Sequence, residues 1–176
     1  MSEARAKVLD YSVTLDRRYR VAADGGDPQQ LPRDFAPEHL TLAGLARCTL
    51  ASLAYHADRA GMKVSSSSAA ASGRVTKRAT DGRYAFVELA CSLEVELAPA
   101  PDEETQRAVL AKAERDCFVG ASFVTPVRYA WRVNGSDARG RRPRRSTSTP
   151  PGRNSPPSSA NSSSSTGRAG RRYPTP

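Results

Sequence analysis

PEHLTLAGLARCTLASLAYHADRAG, residues 37–61, is the stretch that decides the fold of this chain. Pro37 suits the first position of a helix, Glu38 places an acid in the first turn, and Gly61 is a natural stop after the last turn. Small or apolar residues cover nearly every face of the middle part. A helix that is apolar most of the way round is a buried one, so we expect a long central helix inside the protein.

The residues before this helix predict strands. Residues 6–23 alternate between apolar and polar side chains, with Tyr11, Val13 and Leu15 on one face, which predicts a hairpin of two strands. Residues 24–36 are rich in glycine and proline and are expected to form a loop, with a short edge strand at Gln30–Leu31.

The residues after the helix predict a longer hairpin. Residues 84–97 give the clearest alternation in the chain, with glutamates on the outward face. The expected inward residues are Leu89, Cys91, Leu93, Val95 and Leu97. Asp81-Gly82 is a strong two-residue hairpin signal that joins this strand to a weaker one within residues 62–78, whose middle is SSSSAAASG.

One more helix and one more strand follow. Asp102 is a good N-cap, and the residues from there to Cys117 predict a helix with Val109, Leu110 and Ala113 towards the core. Residues 127–133 alternate again and predict a half-buried strand. The segregated helices and hairpins indicate an α+β fold. Because one small sheet cannot cover a helix that is apolar all round, we expect a homodimer with intertwined cores.

Charge divides the chain at residue 135. Residues 1–135 hold 18 Lys and Arg against 17 Asp and Glu, so this predicted domain is nearly neutral. Residues 136–176 hold nine arginines and one acid, and they are dominated by Ser, Pro, Arg and Gly, which predicts a disordered tail. The tail has two interpretations: a non-specific contact with a polyanion such as nucleic acid, or the product of a shifted reading frame in a GC-rich gene.

The remaining composition favours a cytoplasmic protein. No signal peptide is visible at the start, and the apolar part of the central helix is too short for a membrane span. The three cysteines are widely spaced and form neither a secreted disulfide framework nor a zinc motif. We therefore expect reduced thiols, no metal and no membrane contact.

The cysteines are the candidate functional residues. Cys48 lies in the middle of the central helix, where it is either a small apolar core residue or a reactive thiol. Cys117 ends a short helix just before a glycine-containing break, where the backbone is able to move. Cys91 lies on the inward face of the best strand and is expected to be a core residue.

Three segments together resemble the OsmC/Ohr family of thiol peroxidases. They are the helix at 37–61, AERDCFVGASF at 113–123 and the strand VRYAWRVNG at 127–135. The resemblance spans roughly residues 6–135. It implies an α+β homodimer whose sheets wrap around two central helices, and the reduction of organic hydroperoxides by a cycle of two cysteines.

The resemblance also implies residue roles. Cys48 matches the peroxidatic cysteine, Cys117 the resolving cysteine and Glu38 the catalytic glutamate of the family. The family's arginine lies in the first hairpin, which here offers Arg17, Arg18 and Arg20, with Arg18 slightly favoured. Ten residues of helix rise about 15 Å, so Glu38 cannot reach Cys48 along a straight helix, and a bend or a second chain has to supply the carboxylate.

The chemistry that the resemblance implies is as follows. A guanidinium lowers the pKa of Cys48, the thiolate attacks the peroxide, and Cys117 condenses with the resulting sulfenic acid. An external dithiol, of the lipoyl type in the family, then reduces the disulfide, and no cofactor is bound. We expect Leu45, Phe86 and Phe123 to line an apolar mouth. The alternative is an inactive protein of the same fold that binds a small apolar ligand.

Overall fold

The computed structural model describes residues 8–138 of the 176-residue chain. This range contains two sheets and three helices. The elements in chain order are β1 (Val13–Leu15), β2 (Arg20–Ala23), β3 (Gln29–Gln30), α1 (Pro37–Arg59), β4 (Lys63–Lys77), β5 (Tyr84–Ala98), α2 (Glu103–Arg115), α3 (Phe118–Ala121), β6 (Val127–Val133) and β7 (Ser136–Asp137). None of these described helices is long and apolar enough to cross a membrane.

The smaller sheet contains the predicted N-terminal hairpin. Strands β1, β2 and β3 pair in that order and are antiparallel. At the β1–β2 turn, Asp16 Oδ1 accepts hydrogen bonds from the backbone N–H groups of Arg18 and Arg20, at 2.8 and 2.9 Å. The described residues do not cover the apolar face of β1, where Val13 and Leu15 remain 68% and 59% exposed.

The larger sheet has the order β4-β5-β6-β7. The β4–β5 pair is the predicted antiparallel hairpin, and Gly82 in its connection has the positive φ of 68° that favours glycine. Strand β6 is parallel to β5, which the sequence analysis did not anticipate. The parallel pairing follows from the intervening helices, which carry the chain back to the end of the sheet where β5 begins.

The predicted inward residues of β5 form the centre of the core. The five residues Leu89, Cys91, Leu93, Val95 and Leu97 are all buried. The side chains that alternate with them, including Glu94 and Glu96, are exposed. The strict period of two in the sequence therefore fixed the face of this strand correctly.

Strand β4 is longer than its composition suggests. It runs unbroken through SSSSAAASG, a segment of low strand propensity, and pairs with β5 along nearly its whole length. Its small residues have a steric reason at Gly73, because a Cβ there would lie 2.6 Å from Cδ1 of the Phe86 ring. Helix α1 also packs against this strand, and small side chains allow that close approach.

Helix α1 has the predicted limits. Pro37 occupies its first position, and His39 Nδ1 accepts a hydrogen bond of 3.0 Å from the backbone N–H of Ala36. Past the C-terminus, Gly61 has a φ of 77° and the Met62 N–H donates to the carbonyl of Ala57 at 2.9 Å. This left-handed glycine ends the helix in the way that the sequence predicted.

Only one face of α1 is buried by the part of the chain that the structure describes. The buried residues, Leu45, Thr49, Leu53 and Ala57, recur every fourth position. Ala43, Arg47 and Ala51 on the other side are exposed. The prediction of burial on all faces is therefore not met within residues 8–138, and the second chain expected to cover the other face stays a prediction.

The predicted second helix is slightly shorter than expected, and a separate four-residue helix follows it. Asp102 caps α2 by accepting a hydrogen bond of 2.8 Å from the Thr105 N–H, as predicted. Helix α2 ends at Arg115, and Cys117 is the N-cap of the separate four-residue helix α3. Strand β7 pairs with β6 at residues 136–137, just past the predicted domain limit at residue 135. The rest of the predicted tail lies outside the described residues.

Candidate functional site: two thiols at the α1–α3 junction

Cys48 and Cys117 are brought together where α1 packs against α3. Cys48 is half-buried and Cys117 is fully buried, and both are free thiols. The two thiols are neighbours, because the Cys117 side chain is one of the groups that raise the pKa of Cys48. The pair thus combines one partly accessible sulfur with a second sulfur beside it that solvent does not reach.

Backbone N–H groups of α3 point towards both sulfurs. Phe118 and Val119 donate towards Cys48, and Gly120 donates to Cys117 Sγ at 3.3 Å. Cys117 acquires this position by capping α3 with its own sulfur. N–H groups of a first helical turn carry partial positive charge, so this turn favours negative charge on either sulfur.

The pKa of Cys48 is nevertheless raised. Burial is the largest cause, and the neighbouring Cys117 side chain acts in the same direction, while the Val119 and Phe118 N–H groups oppose them. The sequence analysis expected a guanidinium to lower this pKa. Among the described residues, none of the groups that principally set it is an arginine. The protonated thiol is therefore the resting form of Cys48 in the isolated chain.

The three hairpin arginines lie at the β1–β2 turn. Arg17 and Arg18 are exposed. Arg20 forms an ion pair with Asp16, with Nη2–Oδ2 and Nε–Oδ2 distances of 2.7 and 2.8 Å. Arg20 therefore has a carboxylate partner within its own hairpin. None of the three arginines is among the groups that principally set the pKa of Cys48.

Glu38 lies in the first turn of α1 and is half-buried. It precedes Cys48 by ten residues of the same helix, which separates them by about 15 Å along the axis. The structure therefore keeps Glu38 away from the Cys48 sulfur of its own chain. Leu45, expected at an apolar mouth, is fully buried, whereas Phe86 and Phe123 stack edge to face at the margin of the core.

Thr49 and Tyr129, which the sequence analysis did not single out, lie around the thiols together with Cys91, which it did. Thr49 is fully buried, and its Oγ1 lies 3.3 Å from Cys117 Sγ. Tyr129 and Cys91 are paired neighbours on β6 and β5 below the thiols. Burial is the main reason that the pKa of Cys91 rises to about 11 and that of Tyr129 to about 12. Both side chains are therefore neutral, which matches the prediction that Cys91 is a core residue.

His56 links α1 to the segment that carries Cys117. Its Nε2 lies 2.9 Å from Oδ2 of Asp116, the residue before Cys117. Hydrogen bonds from Arg115, with a smaller effect of His56, lower the pKa of Asp116 to about 2. The sequence gave no signal for this contact, because the partner Asp116 lies sixty residues further along the chain, between α2 and α3.

Gly120 is sterically required beside the thiols. A Cβ at this position would lie 2.6 Å from the Tyr129 hydroxyl and 3.3 Å from Cys117 Sγ. We therefore expect Gly120→Ala to lower the free energy of unfolding by about 1–3 kcal/mol, the usual cost of overpacking. Urea unfolding measures this change. In a Tyr129→Phe background, where the clashing oxygen is absent, the same substitution is expected to cost less; an equal cost in both backgrounds would contradict the steric explanation.

Two clefts on the outer face of the larger sheet lie apart from the thiols. The bigger of these two encloses about 400 Å³ and is lined by Ser68, Ala69, Ala70, Ser92, Leu93, Glu94, Ala130, Trp131, Arg132 and Asp137. Within residues 8–138, no cluster of His, Cys, Asp and Glu has the arrangement of a metal site. The thiol pair is thus the candidate site with the clearest chemistry.

The fold is shared with solved structures of low sequence identity. An OsmC-like protein from Mycoplasma pneumoniae is 17% identical with a TM-score of 0.56, and the match covers 73% of this chain and 99% of that one. An OsmC-like protein from Vibrio cholerae is 18% identical with a TM-score of 0.56, and the match covers 72% of this chain and 100% of that one. An organic hydroperoxide resistance protein from Elizabethkingia anophelis is 19% identical with a TM-score of 0.51, and the match covers 75% of this chain and 100% of that one.

Sequence comparison gives the family directly. A search of curated protein sequences found no match. The family model described as OsmC-like protein matches residues 26–132, which is more than half of the chain and includes Cys48, Cys91 and Cys117. The mixed α+β fold agrees with the OsmC-like structures. This chain therefore belongs to the OsmC-like protein family.

Proposed function

We propose that this protein is a thiol-dependent peroxidase that reduces organic hydroperoxides through a Cys48 sulfenic acid and a Cys48–Cys117 disulfide. One observation carries the proposal: a half-buried free thiol lies against a fully buried one, at a helical turn whose N–H groups point towards both sulfurs. The fold is also that of an organic hydroperoxide resistance protein, which supports the substrate class.

The first step takes place at Cys48. Its thiolate attacks the terminal peroxide oxygen, the O–O bond breaks, and the departing alkoxide takes up a proton to become an alcohol. The product on the protein is a sulfenic acid. The N–H groups of Phe118 and Val119 stabilise negative charge on Cys48 before the attack.

A second copy of the chain supplies the missing cation in this proposal. Burial keeps the pKa of Cys48 raised in the single chain, and the thiolate is the nucleophile, so a positive charge has to lower that pKa. The hairpin with Arg17, Arg18 and Arg20 has an uncovered apolar face, and α1 has an uncovered side. Pairing two chains covers both surfaces and brings the hairpin of one chain to the thiols of the other. Glu38 then orients the guanidinium through a bidentate pair.

Cys117 completes the oxidative half of the cycle. Its sulfur attacks the sulfur of the Cys48 sulfenic acid; a disulfide forms, and the thiol proton leaves with the hydroxyl group as water. An external dithiol of the lipoyl type then reduces the disulfide by exchange and becomes a cyclic disulfide itself. The cytoplasmic location, where such dithiols are available, stays a prediction.

Thiol titration tests this cycle. The reduced protein contains three cysteines, and one equivalent of cumene hydroperoxide is expected to leave one free thiol after denaturation, because Cys91 is buried and takes no part. Peptide mapping without reductant should then recover a linked pair containing residues 48 and 117. Three remaining thiols, or a pair that includes Cys91, would contradict the proposal.

A further inference from the structure

Thr49 and the N–H of Gly120 hold the Cys117 thiol in a defined orientation. Thr49 Oγ1 donates its hydrogen to the Leu45 carbonyl oxygen at 2.9 Å and lies 3.3 Å from Cys117 Sγ. A threonine hydroxyl carries one hydrogen, and a carbonyl oxygen only accepts. Because that hydrogen is already donated to Leu45, the Cys117 S–H is the donor in the contact with Thr49.

The orientation of the S–H group sets the direction of the sulfur lone pairs. The Cys117 S–H points at Thr49, which is fully buried, and the Gly120 N–H donates to the same sulfur at 3.3 Å. These two contacts fix the thiol on two sides. Cys48 precedes Thr49 on the same helix and lies beside Cys117, and the Tyr129 hydroxyl is a further neighbour of the Cys117 sulfur. An unprotonated lobe of the Cys117 sulfur is thus left for a bond to Cys48.

We propose that Thr49 is a positioning residue for the resolving step: it accepts the Cys117 S–H bond and thereby presents the sulfur lone pair to Cys48. This inference rests on the proposed function in assigning a resolving role to Cys117. The role of Thr49 concerns only one rate, that at which Cys117 attacks an oxidised or derivatised Cys48. That rate is measurable without a peroxide.

A chromogenic aromatic disulfide, 5,5′-dithiobis(2-nitrobenzoate), provides the measurement. The Cys48 thiol reacts first, forms a mixed disulfide and releases one coloured thiolate. Cys117 then attacks the Cys48 sulfur, the protein disulfide forms, the Cys117 proton is lost to solvent, and a second coloured thiolate leaves. The rate of the first release measures how accessible the Cys48 thiol is, and the rate of the second measures how fast Cys117 attacks the Cys48 sulfur. A Cys91→Ala background leaves only these two thiols in the chain.

Thr49→Val removes the acceptor and keeps the shape of the side chain. We expect the second release to slow about tenfold, the effect of one lost hydrogen bond, while the first release keeps its rate and shows that the site is folded. Thr49→Ser keeps the hydroxyl and should restore the fast second release. Equal second-release rates in Thr49→Val and the parent would overturn the proposal, as would a parent that never releases the second thiolate.

The outcome is separable from that of the peroxidase proposal. If the parent protein closes the disulfide rapidly but consumes no cumene hydroperoxide, the proposed function fails, and the comparison of the Thr49 variants still decides the role of Thr49. If the protein consumes peroxide while Thr49→Val closes the disulfide as fast as the parent, the peroxidase stands and the positioning role is refuted.

Discussion

Replacing Cys48 by serine is expected to reduce the consumption of cumene hydroperoxide to the uncatalysed rate. A serine hydroxyl is not ionised near neutral pH and does not form the sulfenic acid that the cycle requires. The substitution is nearly isosteric in a half-buried position, so the fold should be retained. The assay is peroxide loss in the presence of a lipoyl-type dithiol, with circular dichroism as the check on folding.

Two further cysteine variants make this result specific. Cys91→Ala removes a buried thiol of the same core that takes no part in the proposed cycle, and it should keep most of the activity. Cys117→Ser should consume one equivalent of peroxide in forming the Cys48 sulfenic acid and one more for each further step to the sulfinic and sulfonic acids, and it should then be inactive because no resolving thiol protects Cys48. Steady turnover by Cys48→Ser, or its loss in Cys91→Ala at an unchanged fold, would disprove the assignment of Cys48.

The sequence predicted those parts of the fold in which one local rule dominates. The alternation of β5 and the proline and glycine limits of α1 each follow from a short segment, and the structure agrees with them. Strand β4 was uncertain because Ser and Ala have weak strand propensity, and only pairing with β5 and packing against α1 explain it. Likewise, neither Gly nor Pro marks the break between α2 and α3 at Asp116.

The candidate site was less accessible from the sequence. The spacing of Cys48 and Cys117 along the chain gives no information about their distance in space, and the pairing came from the family resemblance. Thr49 was overlooked although a threonine inside an apolar helix is a signal, because its hydroxyl has to find a partner such as the carbonyl four residues earlier. In a single chain burial outweighs the N–H groups of α3 and the pKa of Cys48 is raised, so the lowering by a guanidinium stays a prediction.

Removing the hairpin arginines is expected to lower the peroxidase rate by about 100-fold, the usual effect of losing one group that stabilises developing negative charge. The variant carries Gln at positions 17, 18 and 20, and the three single variants identify the residue responsible. The wild-type activity should reach a plateau as the pH rises. The remaining activity of the triple variant should still increase at pH values above the start of that plateau. The reason is that burial, no longer offset by a guanidinium, leaves the pKa of Cys48 above its ordinary value.

Mixing two inactive variants tests whether the arginine comes from the other chain. Cys48→Ser retains the hairpin arginines, and the triple arginine variant retains Cys48, so a heterodimer of the two contains one complete site if each site is shared. Unfolding and refolding an equal mixture should give about half heterodimers and therefore about a quarter of the wild-type activity. A mixture no more active than the separate variants would mean that the thiols and the arginine do not combine across chains, and the raised pKa of Cys48 would then need another source of positive charge.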